Sequence, residues 1–528
     1  EFGVRYNFIA VDYLVYTNEV IGNINESYPL PVLFTAIGIV SIAISFIAFG
    51  SVVYKSSFFS LSEIKTRFLV FLSFLVVAVV CAFGVSDRLS RISGNQYHVE
   101  LARNGIYSFF SAFRSNELDY YKFYKTLPDD EVFGFIKEET LLSNDSILAK
   151  SKKDIWRYTR SENPEQKYNV VFILVESLSG EYMSYIGNNR GIKTPFLDSI
   201  VENSLFFSNL YATGTRTVRG IEAVTLSYPP TPGLSIVKRP DNQNLFNIGS
   251  VFKEKGYQNL FIYGGFGYFD NMNAYFENCG FKIVDRSSLE KSEITFANVW
   301  GVCDQDLYNR AIKEADVSFE SGKPFFSFIL TTSNHRPYTF PDVGIDFPMS
   351  REGGVKYTDY ALRDFFKKAS GKEWFNNTIF VVVADHCGGS AGRAELPIRE
   401  YQIPFIVYNP SIVSPRKVDV LCSQIDVAPT LLDIMGWSYK NSFFGKSILQ
   451  MKATDGRAFI GNYQKLGYLT DSILTMLGPR SEVSQFVYNR WSGETKPTVP
   501  IPFELKASIG YYQSASFIFK NGVSKIHE

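Results

Sequence analysis

The chain has 528 residues, 45% of them hydrophobic and 16% aromatic, so it can bury a large core and should contain more than one structural unit. Its 53 Lys and Arg residues balance 53 Asp and Glu residues, which gives a formal net charge of zero. This balance argues against binding of polyanions through bulk charge, so nucleic acid is excluded as a first expectation.

Two windows without Asp, Glu, Lys or Arg lie near the start of the chain, Val32 to Tyr54 and Phe68 to Ser86. Roughly 20 apolar residues span the hydrocarbon core of a bilayer, so each window predicts a transmembrane helix; the alternative is a pair of buried core helices. The loop between them carries an excess of Lys and Arg, which places it in the cytoplasm and everything after Ser86 outside. The chain begins without Met or a signal peptide, which is typical of a fragment that lacks earlier membrane helices.

Changes in composition and hydrophobic pattern along the chain predict five segments. Residues 1–31 form an extracytoplasmic membrane-proximal segment, and residues 32–86 hold the two transmembrane helices. Residues 87–166 are polar and aromatic, which predicts a helical linker that lies near the membrane surface or packs against the next domain. Residues 167–450 predict an α/β domain, and residues 451–528 a C-terminal α+β addition with short antiparallel strands.

Five short apolar runs after Gln166 predict strands that are buried on both faces. Helical patterns lie between them, and one runs from Thr194, a candidate N-cap followed by proline, to Phe207. Strands that alternate with helices predict an α/β fold with a mostly parallel sheet flanked by helices. The five predicted strands are Tyr168–Ser177, Tyr257–Gly265, Pro324–Ser333, Thr378–His386 and Ile403–Pro410.

The cysteines predict neither a disulfide scaffold nor a structural zinc site. The five of them are few and odd in number, and none belongs to a C-x-x-C pair. Cys279 and Cys303 remain candidates for a disulfide outside the cytoplasm.

Three polar side chains follow the ends of two predicted strands. Glu176 ends "VVFILVES", and Asp385 and His386 end "IFVVVADH". Taken singly, each residue also has a structural interpretation: Glu176 as a helix cap, Asp385 as a salt-bridge partner and His386 as a core histidine. Because the carboxyl ends of parallel strands share one edge, however, the two carboxylates should meet there and repel each other unless a cation lies between them. The set predicts a divalent metal site, and its ligand types suit Mn²⁺, Mg²⁺ or Zn²⁺ alike.

The segment "YATGTRTVRGIEAVTLSYPP" offers a nucleophile. Thr213, Thr215 and Thr217 lie in a loop before a predicted helix that starts near Val218. A threonine at a helix N-terminus can meet a phosphate or sulfate, and a metal ion can activate its hydroxyl; the alternative is that these threonines only cap the helix. His335 follows another predicted strand and is a candidate proton donor or phosphate contact, or simply a loop residue.

Four ordered motifs resemble one family: "NVVFILVES", "KTPFLDSIVENSLFFSNLYATGTRT", "VVVADHCG" and "SQIDVAPTLLDIMG". They look like the sulfatase/alkaline-phosphatase superfamily, in its branch of membrane-anchored lipoteichoic acid synthases and related phosphoglycerol transferases. The resemblance extends from about Tyr6 to the C-terminus and includes the membrane helices before an extracytoplasmic domain. It implies that residues 167–450 are the catalytic domain.

The resemblance also implies roles for individual residues. Thr217 corresponds to the metal-bound nucleophile, and Glu176, Asp385 and His386 to the other metal ligands. His335 is similar to the histidine that contacts the glycerol-phosphate group in that family. The metal in such enzymes is usually Mn²⁺, whereas the similar phosphoethanolamine transferases use Zn²⁺.

Two departures from known patterns bear on substrate choice. Lipoteichoic acid synthases carry a tryptophan and an arginine just before an Asp-Asn-Met segment, and here Phe269 stands immediately before it. Arg216 and Arg219 are the candidates to bind the anion instead. A true sulfatase would need a C-x-P-x-R or S-x-P-x-R motif, and "SYPPT" at Ser227 ends in Thr231, so sulfatase activity is not expected.

The sequence therefore predicts a phosphoglycerol transferase in the bacterial cytoplasmic membrane, multi-pass, with its catalytic domain outside the cytoplasm. Its expected partners are a phospholipid donor, such as phosphatidylglycerol, and a glycan, glycolipid or polymer acceptor. Phosphoethanolamine transfer and phosphodiester hydrolysis are the enzymatic alternatives. A non-catalytic membrane receptor is a third, which the complete set of ligands and a nucleophile disfavours.

Overall fold

The computed structural model describes residues 16–48, 63–84, 90, 92–114, 118–148, 151–187, 191–344, 347–389, 392 and 394–526. The chain divides into two compact units that meet in sequence between Ser111 and Ala112.

The first unit is helical. Two of its helices are long and apolar enough to cross a membrane, with windows at Leu30–Ile47 and Ile64–Cys81 of mean hydropathy 2.4 and 2.2 and no buried residues. These windows overlap both predicted transmembrane helices, although residues 49–54 and 85–86 of the prediction lie outside the described residues. The helices are α1 (Thr17–Ser27), α2 (Leu30–Ala48), α3 (Ile64–Gly84), α4 (Gln96–Ala102) and α5 (Gly105–Arg114).

The second unit alternates helices and strands. Its helices are α6 (Tyr120–Phe123), α7 (Asp129–Thr140), α8 (Pro195–Val201), α9 (Thr217–Leu226), α10 (Ile248–Glu254), α11 (Met272–Asn278), α12 (Asp304–Glu320), α13 (Arg351–Ala369), α14 (Val427–Ile434) and α15 (Pro502–Lys520). Its strands are β1 (Asp145–Ile147), β2 (Arg157–Thr159), β3 (Asn169–Val175), β4 (Ser204–Tyr211), β5 (Gln258–Tyr263), β6 (Lys282–Val284), β7 (Phe325–Leu330), β8 (Thr378–Ala384), β9 (Gln402–Tyr408), β10 (Arg416–Val418), β11 (Cys422–Ser423), β12 (Tyr439–Asn441), β13 (Ala458–Gly461), β14 (Leu466–Leu469), β15 (Ile473–Gly478), β16 (Glu482–Tyr488) and β17 (Thr495–Pro497).

A nine-stranded sheet forms the centre of this unit, with strand order β10-β4-β9-β8-β3-β7-β5-β6 and β11 paired to β4. Only the two pairings of β9, with β4 and with β8, are antiparallel. Every residue of β3, β7 and β8 is buried, because helices cover both faces of the sheet. The predicted α/β fold with a mostly parallel sheet is confirmed, and all five predicted strands are present.

The helix predicted from Thr194 to Phe207 is partly wrong. The helix α8 ends at Val201, and the residues from Ser204 onward form β4, which lies inside the sheet between β9 and β10. The apolar run at its start fits a helical face and a buried strand equally well, so the pairing with β9 and β10 decides the structure.

Two smaller sheets flank the central one. The strands β13 to β17 form a five-stranded antiparallel sheet, as the C-terminal sequence pattern predicted. Residues 87–166, predicted as a helical linker, contain α4 to α7 but also two short strands: β1 pairs with β2, and β2 pairs with β12. These short strands were missed because their stabilising partner, β12, is almost 300 residues away in sequence. Cys279 and Cys303 are both buried and free, so the candidate disulfide between them is absent.

Candidate active site

The paired strands β3 and β8 place three polar side chains at one edge of the sheet. Val175 and Ala384 lie side by side as the last residues of the two strands, so the next residues, Glu176 and Asp385, leave the sheet together. One ligand atom from each of Glu176, Asp385 and His386 lies within 4.8 Å of the other two. The structure thus brings together the three side chains that the sequence predicted to converge.

Thr217 lies against this cluster. It is the first residue of α9, and its Oγ1 donates a hydrogen bond of 3.1 Å to Glu176 Oε2. The helix approaches the end of β8 so closely that a Cβ on Gly220 would lie 2.5 Å from the carbonyl oxygen of Asp385. Thr213, by contrast, is buried and donates its hydroxyl to the Arg219 carbonyl at 3.2 Å. Thr217 is therefore the better placed of these two threonines to act as a nucleophile.

The two carboxyl groups have opposite pKa shifts. Burial raises the pKa of Asp385 well above its usual range, and the adjacent negative charge of Glu176 raises it further. Burial also opposes ionisation of Glu176, but electrostatic interactions with the imidazoles of His386 and His335 and the hydrogen bond from the Ser177 hydroxyl outweigh it and lower the pKa of Glu176. Burial lowers the pKa of His386. Two adjacent buried carboxylates favour a bound cation, since it would remove their mutual repulsion.

The donor set fits a divalent metal ion. Asp385 Oδ2 is buried and has no hydrogen-bond partner among the described residues. The ring of His386 contacts the Cys387 carbonyl oxygen through Nδ1 at 2.7 Å, and because a carbonyl can only accept, Nδ1 carries the proton. The Nε2 lone pair is thus available, 3.4 Å from Asp385 Oδ2. Oxygen and imidazole donors suit Mn²⁺, Zn²⁺ or Mg²⁺, and the geometry does not select one.

His335 lies near the cluster on the loop after β7. His335 contributes to the pKa shifts of both Glu176 and His386, which places it in electrostatic range of the two residues. Its Nδ1 contacts the Arg336 carbonyl oxygen at 2.8 Å, so its Nε2 is the nitrogen left for a substrate. Its ring packs against the indole of Trp300 with a centroid distance of 4.2 Å. Sequence reasoning missed Trp300, which no motif marks.

The two candidate anion-binding arginines differ. Arg216 immediately precedes α9, and its positive charge contributes to the lowered pKa of His386, so it lies close to the site. Arg219 is buried, pairs with Glu222 at 3.1 Å and donates to the Thr231 carbonyl oxygen at 2.8 Å. The Arg219 guanidinium thus already neutralises a buried carboxylate and satisfies backbone acceptors, which favours a structural role; substrate binding by Arg219 stays a prediction.

Two amides hold the strand ends that carry the cluster. Gln424 Nε2 donates to the carbonyl oxygens of Ala384 and Asp385, each at 2.9 Å. Asn334 Nδ2 donates to the Glu176 carbonyl oxygen at 3.0 Å. Sequence reasoning did not identify either residue, although Gln424 lies within the quoted motif "SQIDVAPT".

Comparisons with known proteins give a consistent picture. A family model described as Sulfatase matches residues 168–437. A solved structure of a protein in the alkaline phosphatase superfamily from Vibrio parahaemolyticus is 32% identical, with a TM-score of 0.72, and the match covers 77% of this chain and 99% of that one.

Two curated relatives have names that specify a reaction. A lipoteichoic acid synthase-like protein, YvgJ of Bacillus subtilis, is 23% identical over 60% of this chain and 58% of its own length. A phosphoglycerol transferase I of Escherichia fergusonii is 27% identical over 52% of this chain and 38% of its own length. The chain thus spans less than two thirds of the curated relatives that it matches.

Proposed function

Because the chain belongs to the sulfatase family, we propose that it is a metal-dependent phosphoglycerol transferase that moves a glycerophosphoryl group from a phospholipid to a cell-envelope acceptor. The names of the two curated relatives support this choice. The family's sulfatases need a C-x-P-x-R or S-x-P-x-R motif, and "SYPPT" at Ser227 departs from it. The proposed donor is phosphatidylglycerol, and the proposed acceptor is a glycan, a glycolipid or a growing polymer.

One observation carries the proposal: the hydroxyl of Thr217 lies 3.1 Å from Glu176 Oε2, beside a buried cluster that also contains Asp385 and His386. A divalent cation held by these four residues, Mn²⁺ in first place and Zn²⁺ or Mg²⁺ otherwise, would lower the hydroxyl pKa and stabilise charge on the phosphoryl oxygens. A nucleophile and a set of metal ligands at one place are what phosphoryl transfer requires.

In the first step, Thr217 attacks the phosphorus of the donor lipid. The bond from Oγ1 to phosphorus forms while the bond from phosphorus to the diacylglycerol oxygen breaks. Thr217 loses its hydroxyl proton, and the departing oxygen takes up a proton, so diacylglycerol leaves as an alcohol. The positive end of the α9 dipole would stabilise the phosphoryl oxygens.

In the second step, a hydroxyl oxygen of the acceptor attacks the same phosphorus and loses its proton. The bond to Thr217 breaks, and the Thr217 oxygen takes up a proton. His335, whose Nδ1 contacts the Arg336 carbonyl oxygen, is proposed to contact the glycerol-phosphate group through Nε2 in both steps. Arg216 is proposed to bind a phosphoryl oxygen.

A lipid donor accounts for the apolar helices of the first unit. We propose that α2 and α3 cross the bacterial cytoplasmic membrane, with the loop between them in the cytoplasm and the second unit outside. The enzyme would then meet its donor at the outer surface of that membrane, so the lipid need not leave the bilayer.

Transfer from head-group-labelled lipids tests the proposal. The purified chain, supplied with Mn²⁺ and an acceptor glycolipid, should move label from phosphatidylglycerol, and Thr217→Ala should abolish transfer while it keeps most of the Mn²⁺ affinity. Thr215→Ala is the matched control and should stay active. Movement of label from phosphatidylethanolamine would indicate phosphoethanolamine transfer instead, release of label to water would indicate a phosphodiesterase, and no reaction with either lipid would contradict the proposal.

A further inference from the structure

Ser177, the residue after Glu176, has an unusual backbone conformation. Its φ of +54° lies in the left-handed region, which glycine adopts at no steric cost and serine adopts rarely. The residue is 8% exposed, so it is nearly removed from solvent. The surrounding structure fixes this conformation, because Asn334 and Ser179 both donate hydrogen bonds to the Ser177 carbonyl oxygen, at 3.3 Å and 3.1 Å.

The left-handed turn directs both donors of Ser177 at the metal-binding carboxylates. Its backbone N–H donates to Asp385 Oδ1 at 2.8 Å, across 208 positions of sequence. Its hydroxyl donates to Glu176 Oε1 at 2.6 Å. One residue therefore contacts both carboxylates of the cluster, and each contact engages one oxygen of the pair.

The other two carboxylate oxygens remain for a cation. Glu176 Oε2 accepts from Thr217, and Asp385 Oδ2 has no hydrogen-bond partner among the described side chains and backbone. Asp385 Oδ1 also accepts the His386 backbone N–H at 2.6 Å, so that carboxylate has a second restraint. Without the Ser177 hydroxyl, however, the Glu176 carboxylate could rotate and present a different oxygen. Hydrogen bonds from neighbouring residues to ligand carboxylates commonly determine metal affinity in this way.

We propose that Ser177 is a positioning residue that orients Glu176 and Asp385 so that Oε2 and Oδ2 face the cation. The inference rests on the proposed function only in that the cluster binds a divalent metal. The Ser177 hydroxyl is not proposed as a metal ligand, unlike Glu176, Thr217, Asp385 and His386. It acts on the metal site through Glu176 and has no proposed contact with the metal or the substrate.

Two substitutions separate metal positioning from fold stability. Ser177→Gly removes the hydroxyl, keeps the N–H bond to Asp385 and suits the positive φ, so the metal-free protein should keep its Tm while its Mn²⁺ affinity falls about 10- to 100-fold. Ser177→Thr keeps the hydroxyl but places a β-branched residue in the left-handed region, so Tm should fall while Mn²⁺ affinity stays within a few-fold. A residue with a merely structural role would not produce these opposite responses.

Ser227 provides the matched control. It is also a buried serine with a positive φ, of +57°, but its hydroxyl donates to the Ile425 carbonyl oxygen, outside the metal-binding cluster. Ser227→Gly should therefore leave the Mn²⁺ affinity unchanged. Isothermal titration of the full chain with Mn²⁺, and thermal unfolding in the presence of a chelator, measure both quantities without any transfer assay.

The outcomes distinguish this inference from the proposed function. Weaker Mn²⁺ binding by Ser177→Gly, with an unchanged metal-free Tm, supports it. Equal affinity of Ser177→Gly and the unaltered chain would overturn it, as would failure of the unaltered chain to bind a divalent ion. Mn²⁺ binding without lipid transfer would overturn the proposed phosphoglycerol transferase but leave the role of Ser177 standing.

Discussion

Thr217 Oγ1 lies 3.1 Å from Glu176 Oε2, although 41 positions separate the two residues. The contact depends on β4, which lies between the two residues in sequence and leads into the loop before α9. It also depends on the approach of α9 to the end of β8 at Gly220. The proposed nucleophile is thus positioned by the central sheet and not by local sequence.

Arg219 and Arg216 should respond differently to substitution. Arg219→Ala removes one partner of a buried ion pair and should lower the free energy of unfolding by about 3–5 kcal/mol, because Glu222 is left buried and unpaired. Arg216→Ala should have a much smaller effect on stability but raise KM for the lipid donor. Urea denaturation and steady-state kinetics measure the two effects, and a stable Arg219→Ala variant with a raised KM would show that Arg219 binds substrate.

His335→Gln should slow transfer by roughly 10²- to 10⁴-fold, the range expected when a positioned acid–base group is lost. Its Mn²⁺ affinity should change little, since His335 lies outside the three-residue cluster of ligand atoms. His98→Gln is the control, because His98 is an exposed histidine of the first unit whose Nδ1 contacts Ser93. Equal rates for the two variants would show that His335 is only a loop residue.

Gly220→Ala should weaken the site because the added methyl group would clash with the backbone at the end of β8. The added Cβ would lie 2.5 Å and 2.8 Å from the backbone O and Cα of Asp385, and backbone atoms cannot move aside like a flexible side chain. Stability should fall by about 1–3 kcal/mol, and Mn²⁺ affinity should fall with it. Gly134→Ala is the matched control in α7, where the added Cβ would meet no atom within 4 Å beyond its chain neighbours and the helix's own backbone, so it should stabilise the helix by about 0.5–1 kcal/mol. Similar unfolding curves for the two variants would argue against a close approach of α9 to β8.

The buried carboxyl group of Asp359 should make the free energy of unfolding depend on pH. Burial raises the pKa of Asp359 from 3.8 to about 6, although the backbone N–H groups of Leu197 and Phe196 donate to its carboxylate and oppose the shift. Between about pH 4 and pH 6 the folded state keeps a proton that the unfolded state has lost, so stability falls as the pH rises, by at most about 3 kcal/mol.

Denaturation of the unaltered chain and of Asp359→Asn across this pH range tests the prediction. The neutral amide cannot titrate, so the difference in free energy of unfolding between the two proteins should change steadily from pH 4 to pH 6 and be constant above about pH 7. A difference that does not vary with pH would mean that Asp359 has an ordinary pKa in the folded state.

The parts of the fold that could be predicted are those with strong local signals. The strands β3, β7 and β8 are continuous apolar runs, and buried parallel strands have that pattern. The motifs at their ends also supported the family resemblance, which the family model and the relatives confirm. β4 was missed because its apolar residues directly follow a helix, and only its partners in the sheet determine its conformation.

The candidate site likewise contains residues that a local sequence signal predicts and residues that only the folded structure reveals. Glu176, Asp385 and His386 were predictable because strand ends in a parallel sheet share one edge. The contributions of Ser177 and Gln424 were not, since one depends on a left-handed backbone and the other on hydrogen bonds to β8 across about 40 positions. Sequence also does not reveal that the Arg219 side chain is buried beside Glu222, a contact that favours a structural role over the predicted substrate binding.

The proposed covalent intermediate on Thr217 can be detected by mass spectrometry of the intact protein after brief incubation with phosphatidylglycerol and Mn²⁺, without acceptor. We expect a mass increase of one glycerophosphoryl group, located on Thr217 by peptide sequencing, lost on addition of acceptor and absent from Thr217→Ala. Transfer to acceptor in a protein that never carries this adduct, or an adduct on another residue, would contradict the proposed intermediate.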